Sequence, residues 1–183
     1  MDELYKNLVK VAPREQIHFK CNNCGTCCRN VKQQVPLETL DAFRIARYLQ
    51  NHGEPIHCMD DVLELYAEPA LLDECGYFVY FLKTVGENDA CIFLDENNRC
   101  KIHSVNPRAC RTYPFIAAPL DEGGFETLVS FERKFHFNGP VVHPRTWMKK
   151  RFTPRHQRAI QSKKNQALLQ QSFAPRTGAR SRL

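Results

Sequence analysis

The chain has 183 residues, of which 43% are hydrophobic and 25% charged, a length that suits one domain with a modest core and argues against two full domains. No run reaches the roughly 18 apolar residues of a membrane span, and the charged N-terminus lacks the apolar stretch of a secretory signal. We therefore expect a cytoplasmic protein with reduced thiols and no membrane association. Charge is uneven, because residues 141–183 hold 11 basic and no acidic residues, whereas residues 1–140 hold 15 basic and 20 acidic ones.

The N-terminal third predicts helices on either side of a cysteine-rich segment. Residues 2–11 predict a short amphipathic helix that Pro13 ends. "PLETLDAFRIARYLQNHG" at 36–53 predicts a longer helix, because apolar residues recur at intervals of three and Gly53 follows the last turn. "MDDVLELYAE" at 59–68 predicts another helix, which the following proline ends.

The middle of the chain predicts strands and turns. "YFVYFLKTV" at 77–85 is rich in β-branched and aromatic residues, "GEND" predicts a turn, and "ACIFL" at 90–94 resumes an extended run. "DENNRC" predicts a second turn. "HSVNPRACRTYPF" at 103–115 predicts a short helix or turn delimited by two prolines, and the alternation in "ETLVSFERKFHF" at 126–137 predicts a further strand.

The C-terminal segment is basic. Thr153 and Pro154 are typical of a helix start and predict a polar helix that reaches about Gln171, and we expect residues 172–183 to be disordered. A basic segment suits contact with an anionic partner, although solvation alone also accounts for it.

Nine cysteines are the main functional signal. An odd count, about 5% of the chain, is below the share typical of disulfide scaffolds. In a reducing compartment such thiols more often bind metal or carry out redox chemistry. We interpret Cys58 and Cys75 as packing cysteines, because they match no ligand spacing.

Four cysteines crowd into eight positions: Cys21, Cys24, Cys27 and Cys28. The spacing C-x2-C-x2-C is shared by zinc knuckles and by ferredoxin-type iron–sulfur ligation. Cys28 breaks both patterns, since neighbouring side chains point about 100° apart on a helix and to opposite faces of a strand. The adjacent pair therefore fits two sites, or a polynuclear site, better than one tetrahedral ion. The alternative is a set of inert buried thiols.

A distant segment supplies further ligand types at turns and element ends, namely Cys91, Cys100 and Cys110 with His103 between them. Seven cysteines and one histidine could fill two four-coordinate sites. Core packing of the three cysteines and a structural role for His103 are the alternatives.

The stretches "FKCNNCGTCC" and "CIFLDENNRCKIHSVNPRACRTYPF" resemble the YkgJ-type cysteine-cluster proteins, a family with the CxxCxxCC signature that is described as a zinc- or iron-chelating domain. The resemblance spans about residues 19–115 and rests on Phe19, the Cys-Gly-x-Cys-Cys core, the Cys91-x-Phe-Leu run and the segment from Pro107 to Pro114. It implies cysteine ligation of zinc or of an iron–sulfur centre. Some larger relatives are similar to flagellin lysine N-methylases.

The chain departs from the family's pattern at one place. The family usually carries an eighth cysteine before a Pro-Gly or a Gly, whereas the comparable residues here are "HFNGP", with His136 and Asn138. One site would then use His103 or His136, bind an exogenous ligand, or be incomplete.

Together these signals predict an α+β fold: a small irregular single domain organised around a cysteine-ligated metal centre, with a few helices and a short antiparallel sheet. We expect residues 1–140 to form the metal-binding domain and residues 141–183 to form the basic helix and disordered tail. Arg108 and Arg111 either offset the charge of a thiolate centre or face solvent, and Tyr113 and Phe115 are expected in the core.

Three functions remain open. The first, which we favour, is a metal-binding protein with a redox or metal-handling role, and its centre is an iron–sulfur cluster of the 4Fe–4S type, with zinc as the alternative. The second is a zinc-stabilised module whose basic tail contacts nucleic acid or an acidic partner. The third is an enzyme like the methylase relatives, which the lack of a G-x-G-x-x-G loop disfavours.

Overall fold

A computed structural model describes residues 8–71, 78–119, 125–130 and 137–152 of the protein. The helices of these residues are α1 Thr39–Asn51, α2 Met59–Tyr66, α3 Arg108–Thr112 and α4 Pro144–Phe152. The strands are β1 Leu8–Lys10, β2 Ile17–His18, β3 Ala67–Leu71, β4 Phe78–Leu82, β5 Thr84–Val85, β6 Ala90–Cys91, β7 Phe115–Pro119, β8 Phe125–Ser130 and β9 Val141–Val142. The predicted α+β class of a small, irregular fold is confirmed.

The strands of the described residues form small antiparallel sheets. The largest has three strands in the order β1-β8-β7, and the pairs β2-β9, β3-β4 and β5-β6 are two-stranded. In the three-stranded sheet Val129 lies opposite both Val9 and Phe115. Sheets this small have little stability alone and depend on packing against helices.

The larger hydrophobic core forms where α1 and α2 pack together. Helix α1 buries Phe43, Ile45 and Leu49, which recur at two- and four-residue intervals, and α2 contributes Val62. Cys91 belongs to this core, and Cys28, Cys100 and Cys110 pack against it. The cysteines of the two sequence segments therefore meet at this core.

A second core lies beneath the three-stranded sheet. Its buried residues are Val11, Ile17, Phe115 and Val129. Trp147 and Met148 of α4 pack against it, and the Trp147 indole N–H donates a hydrogen bond to the carbonyl of Thr112 at 3.1 Å. Residues 141–152 of the basic segment thus pack against earlier parts of the chain.

Two predicted elements differ from the structure. Residues 8–10 form strand β1 where a helix over 2–11 was predicted, and residues 2–7 lie outside the described residues. The helix predicted over 59–68 ends at Tyr66, and Pro69 lies within β3. Among the described residues that strand has a partner, β4, on one side only, so a proline is tolerated there.

Helix α4 has no counterpart among the predicted elements. The helix predicted from Thr153 to Gln171 and the disordered tail lie outside the described residues. The predicted helix at 36–53, the strands at 77–85 and the short helix within 103–115 are confirmed in outline by α1, β4, β5 and α3. Phe115 is buried as predicted.

No helix among the described residues is both long enough and apolar enough to cross a membrane.

Candidate metal centre

Five thiols from three segments of the chain are near enough to influence one another's pKa. They are Cys27, Cys28, Cys91, Cys100 and Cys110, here called the thiol cluster. The side chains of Cys27 and Cys28 are hydrogen-bonded, and Cys110 interacts electrostatically with Cys91, Cys27 and Cys100. The fold therefore brings together cysteines that lie more than 80 residues apart in the chain.

The first segment is a loop that ends in a short 3-10 turn, Thr26–Cys28. Gly25 precedes this turn with φ +70, a conformation that glycine adopts without strain. A Cβ at Gly25 would lie 2.4 Å from the carbonyl oxygen of Asn98, so the loop packs directly on the turn that precedes Cys100. The Arg29 guanidinium adds a hydrogen bond to the Asn98 side chain.

The second segment carries Cys91 and Cys100. Cys91 lies in β6 opposite Thr84 of β5, and Cys100 is bridged to Leu94 across a tight turn. In this turn the Asp95 carboxylate accepts a hydrogen bond from the Arg99 N–H at 2.7 Å. Short-range hydrogen bonds therefore fix the spacing of the two thiols.

The third segment is α3, which carries Cys110. Its position is fixed by Asp41 of α1, whose Oδ2 accepts the Arg108 main-chain N–H at 2.9 Å and whose Oδ1 lies 3.2 Å from the Arg111 guanidinium. Arg108 also pairs with Glu38. Arg111 is therefore paired inside the protein and does not simply face solvent.

Burial and proximity oppose ionisation of the thiols. The hydrogen bond with Cys27, then burial and the neighbouring cysteine charges, raise the pKa of Cys28. Burial raises the pKa of Cys91 to about 11, and it also raises the pKa of Cys100 and Cys110. These thiols are therefore protonated at neutral pH unless a cation offsets the charge of the thiolates.

The donor set suits a soft metal centre, because thiolates select zinc and iron–sulfur clusters. In the described part of the chain, no group of three or more Cys, His, Asp or Glu side chains is arranged to hold a metal ion. The five sulfur atoms thus form a cluster of interacting thiols and not a finished coordination sphere.

The described residues also include three other predicted ligands, Cys21, Cys24 and His103. Cys21 is exposed and donates to Asn23 Oδ1 at 3.4 Å, and Cys24 is half-buried with its sulfur 3.1 Å from Thr26 Oγ1. His103 is exposed at the start of the 3-10 turn His103–Val105.

Two cysteines were predicted to be packing residues. Cys58 is half-buried at the N-cap of α2, where its main-chain N–H donates to Asp61 at 2.9 Å. Cys75 lies outside the described residues, as does His136, the alternative nitrogen ligand.

Asp41 and Gly25 were not predicted as site residues. Asp41 precedes Ile45 and Leu49 by four and eight residues, so it lies on the buried face of α1 and is itself 2% exposed. A carboxylate at that place in an amphipathic pattern is the signal that could have found it. Gly25 stands between two cysteines, where a left-handed turn brings the loop close to another segment.

Comparison with known proteins gives one family and one relative. Residues 20–137 match the family model CxxCxxCC, described as "Putative zinc- or iron-chelating domain". Over 101 residues the chain is 34% identical to "Uncharacterized protein MJ0661" of Methanocaldococcus jannaschii, a stretch that covers 54% of this chain and 46% of that protein. The chain therefore spans about half the length of this relative.

No solved structure matches the chain. The family match covers more than half of the chain and includes all the members of the thiol cluster. On the strength of that match, the chain belongs to the CxxCxxCC family of zinc- or iron-chelating domains.

Proposed function

We propose that this protein holds an iron–sulfur cluster of the 4Fe–4S type on cysteine thiolates and has a redox or metal-handling role. One observation carries the proposal: Cys28, Cys91, Cys100 and Cys110 meet at one hydrophobic core, and together with Cys27 they raise one another's pKa, which provides enough thiols for the four cysteine ligands of such a cluster. A 4Fe–4S cluster has one cysteine ligand on each of its four irons, so adjacent cysteines such as Cys27 and Cys28, whose side chains diverge, can bind different irons more easily than one ion.

The raised thiol pKa values support a metal role over thiol catalysis. A reactive cysteine needs a lowered pKa and an accessible thiolate, whereas burial raises the pKa of Cys91, Cys100 and Cys110. A metal centre supplies the positive charge that makes buried thiolates favourable.

The proposed ligands are the thiol cluster together with the two preceding cysteines of the loop, Cys21 and Cys24. These two are three residues apart and lie in the same loop as Cys27. His103 and His136 are the nitrogen candidates for a remaining position. The proposed metal-binding part of the chain is residues 1–140, and β9 and α4 of residues 141–183 pack against it.

The test is the metal content and visible spectrum of anaerobically purified protein. We expect brown protein with iron and sulfide, and with a broad visible absorption that bleaches on reduction. Colourless protein that holds stoichiometric zinc and no sulfide would contradict the cluster and leave a zinc-stabilised module. Protein that holds neither metal after reconstitution with iron and sulfide, or with zinc, would contradict metal binding altogether.

Helix α4 favours a second candidate function, contact with an anionic partner such as nucleic acid. Arg145, Lys149 and Lys150 are exposed on this helix, which carries no acidic residue. Binding through such residues should weaken steeply with salt, because phosphate contacts release counterions. Fluorescence anisotropy with single-stranded RNA at two salt concentrations tests it, with Arg145→Gln and Lys149→Gln together as the variant. Absence of binding at low salt would contradict it.

The proposed compartment is a reducing one, such as the cytoplasm, because the centre needs reduced thiols. The eight described cysteines form no disulfide with one another. Alkylation of intact cells before lysis, followed by mass spectrometry, should find these cysteines without disulfide partners. Stable disulfides among them would contradict this.

A further inference from the structure

Asp41 is a carboxylate that the apolar face of α1 buries. It is 2% exposed, and both of its oxygens are directed at the segment that carries Cys110. Oδ2 accepts the main-chain N–H of Arg108 at 2.9 Å, and Oδ1 lies 3.2 Å from both terminal nitrogens of Arg111. Burying a carboxylate is costly unless charged partners and hydrogen bonds compensate.

These contacts hold α3 on both sides of its cysteine. Cys110 stands between Arg108 and Arg111, so Asp41 fixes the residue two positions before it and the residue directly after it. The Arg111 guanidinium also donates to the carbonyl of Asn106, which ties the chain that enters α3 to the same point. A five-residue helix has few internal hydrogen bonds, so these links define where the thiol lies.

Asp41 also sets the charge beside the thiol cluster. Its Oδ1 lies 3.8 Å from the Arg44 guanidinium, so one carboxylate separates two guanidinium groups whose side chains are 18% and 16% exposed. Arg44 and Arg111 repel each other, and Asp41 interacts electrostatically with Cys110. Removal of the carboxylate would leave both arginines without their shared partner and release the segment that carries Cys110.

We infer that Asp41 is a positioning residue of the metal centre: through Arg108 and Arg111 it holds Cys110 where a metal can bind its thiolate. This inference rests on the proposed function. A group that hydrogen-bonds to a metal ligand and orients it typically contributes to metal affinity, and its removal weakens binding by about 10- to 100-fold. Asp41 differs from such groups only in acting through the main chain and a neighbouring side chain instead of touching the ligand.

The test is Co²⁺ binding to the reduced, metal-free full-length protein, measured by thiolate-to-cobalt absorption in competition with a chelator. The variants are Asp41→Asn, Cys110→Ala and the double variant, with Asp61→Asn as the matched control. Asp61 caps α2 by accepting the N–H groups of His57 and Cys58 at 2.7 and 2.9 Å, so its loss affects a helix start outside the thiol cluster.

We expect Asp41→Asn to weaken Co²⁺ binding by about 10- to 100-fold in the wild-type background and by less than about twofold in the Cys110→Ala background. The thiolate-to-cobalt absorption of Asp41→Asn should fall by the contribution of one thiolate. Asp61→Asn should leave both the affinity and the absorption unchanged, even where it lowers the melting temperature.

An equal loss of affinity in both backgrounds, or none in either, would overturn the inference while the proposed function stands. Wild-type protein that binds no Co²⁺, or a Cys110→Ala variant with full affinity, would instead count against the proposed function at this cysteine, and the inference would fall with it. If Asp41→Asn does not fold, Arg111→Lys takes its place in the same cycle. Lysine keeps the charge but cannot present two nitrogens to the carboxylate.

Discussion

At the scale of single residues, the surroundings of the clustered thiols favour the protonated form, whereas a metal would favour the thiolate form. Burial and the charges of neighbouring cysteines raise the pKa of Cys110 and of Cys91, the latter to about 11. A metal ion reverses this preference, because it bonds the thiolate form and neutralises the repulsion among the sulfur atoms. At the proposed centre, protonation and metal binding would therefore compete for the same atoms.

This competition predicts a pH-dependent metal affinity. Since the thiols are protonated near pH 7, each thiolate that binds metal must release about one proton, and affinity should fall as the pH falls. Calorimetry of Zn²⁺ binding in buffers of different ionisation enthalpy counts the protons released. Cys100→Ser should release about one proton fewer. A heat of binding that does not depend on the buffer would contradict the prediction.

The stability of the metal-free protein should depend on pH in the opposite direction and fall as the pH rises. The folded-state pKa of Cys91 lies above its ordinary value of 9.0, so the protonated thiol contributes stability below about pH 9 that is lost as the pH rises through about 11. A shift of this size corresponds to about 2 to 3 kcal/mol in the free energy of unfolding. Denaturant unfolding with chelator and reductant measures it, and a Cys91→Ala variant should lose less stability over the same range. A wild-type stability that is constant from about pH 8 to 11 would contradict it.

Ligand cysteines and packing cysteines should respond differently to substitution. Serine is a poor replacement for a thiolate at a soft centre, so Cys→Ser at any member of the thiol cluster, or at Cys21 or Cys24, should lower metal occupancy sharply. Cys58→Ala should cost about 1 kcal/mol of stability and leave the metal in place. Elemental analysis of the purified variants tests both. Full occupancy in Cys100→Ser and Cys110→Ser together would contradict a shared centre.

At the scale of elements, the sequence predicted the helices and strands that their own residues favour. Helix α1 follows from an apolar period and a terminal glycine, and β4 follows from a run of aromatic and β-branched residues. Strand β1 could not be predicted in this way, because its three residues pair with residues 128–130 across most of the chain. Its conformation is therefore set by a distant partner and not by its own sequence.

The candidate centre was likewise predictable only where it depends on local sequence. The spacing of the cysteines predicted the two segments that meet, because ligand residue types and turns are visible in sequence. It did not predict that Cys27 and Cys28 would join the distant thiols while Cys21 stays exposed, since that depends on how the loop packs. The proposed role of Asp41 was not predicted either: its place on the apolar face of α1 indicates burial, but the two arginines that it contacts lie about 70 residues away in the chain.

The packing of the loop gives a prediction at this scale. Gly25→Ala should lower both metal affinity and stability, because the residue has φ +70 and a Cβ would lie 2.4 Å from the Asn98 carbonyl oxygen. The backbone conformation alone costs about 1 kcal/mol, and the displaced loop adds to it. Gly86→Ala is the control, since Gly86 has φ +71 with open space around it. Equal losses in the two variants would show that the contact with Asn98 has no effect.

At the scale of the whole molecule, α3 joins the two hydrophobic cores. Cys110 packs against the core of α1 and α2, while Phe115, just beyond the helix, is buried in the other core. Trp147 of α4 donates a hydrogen bond to Thr112 of α3. Its ring also makes edge-to-face contacts with Phe115 and Phe19. Helix α4 is therefore connected to the segment that carries a proposed ligand.

This connection predicts different effects for two truncations. A chain of residues 1–152 should keep its metal content, because no cysteine follows Cys110 and α4 remains in place.

A chain of residues 1–140 loses β9 and α4, and with them the partner strand of β2 and the Trp147 contacts. Trp147 is half-buried, so its loss should cost less than the about 3 to 5 kcal/mol of a fully buried tryptophan, and together with the loss of β9 it should make this chain unfold at lower denaturant concentration. Trp147→Ala in the full chain is the matched point variant and should reproduce most of that loss. Equal stability of the two truncated chains would show that α4 adds nothing to the fold that supports the thiol cluster.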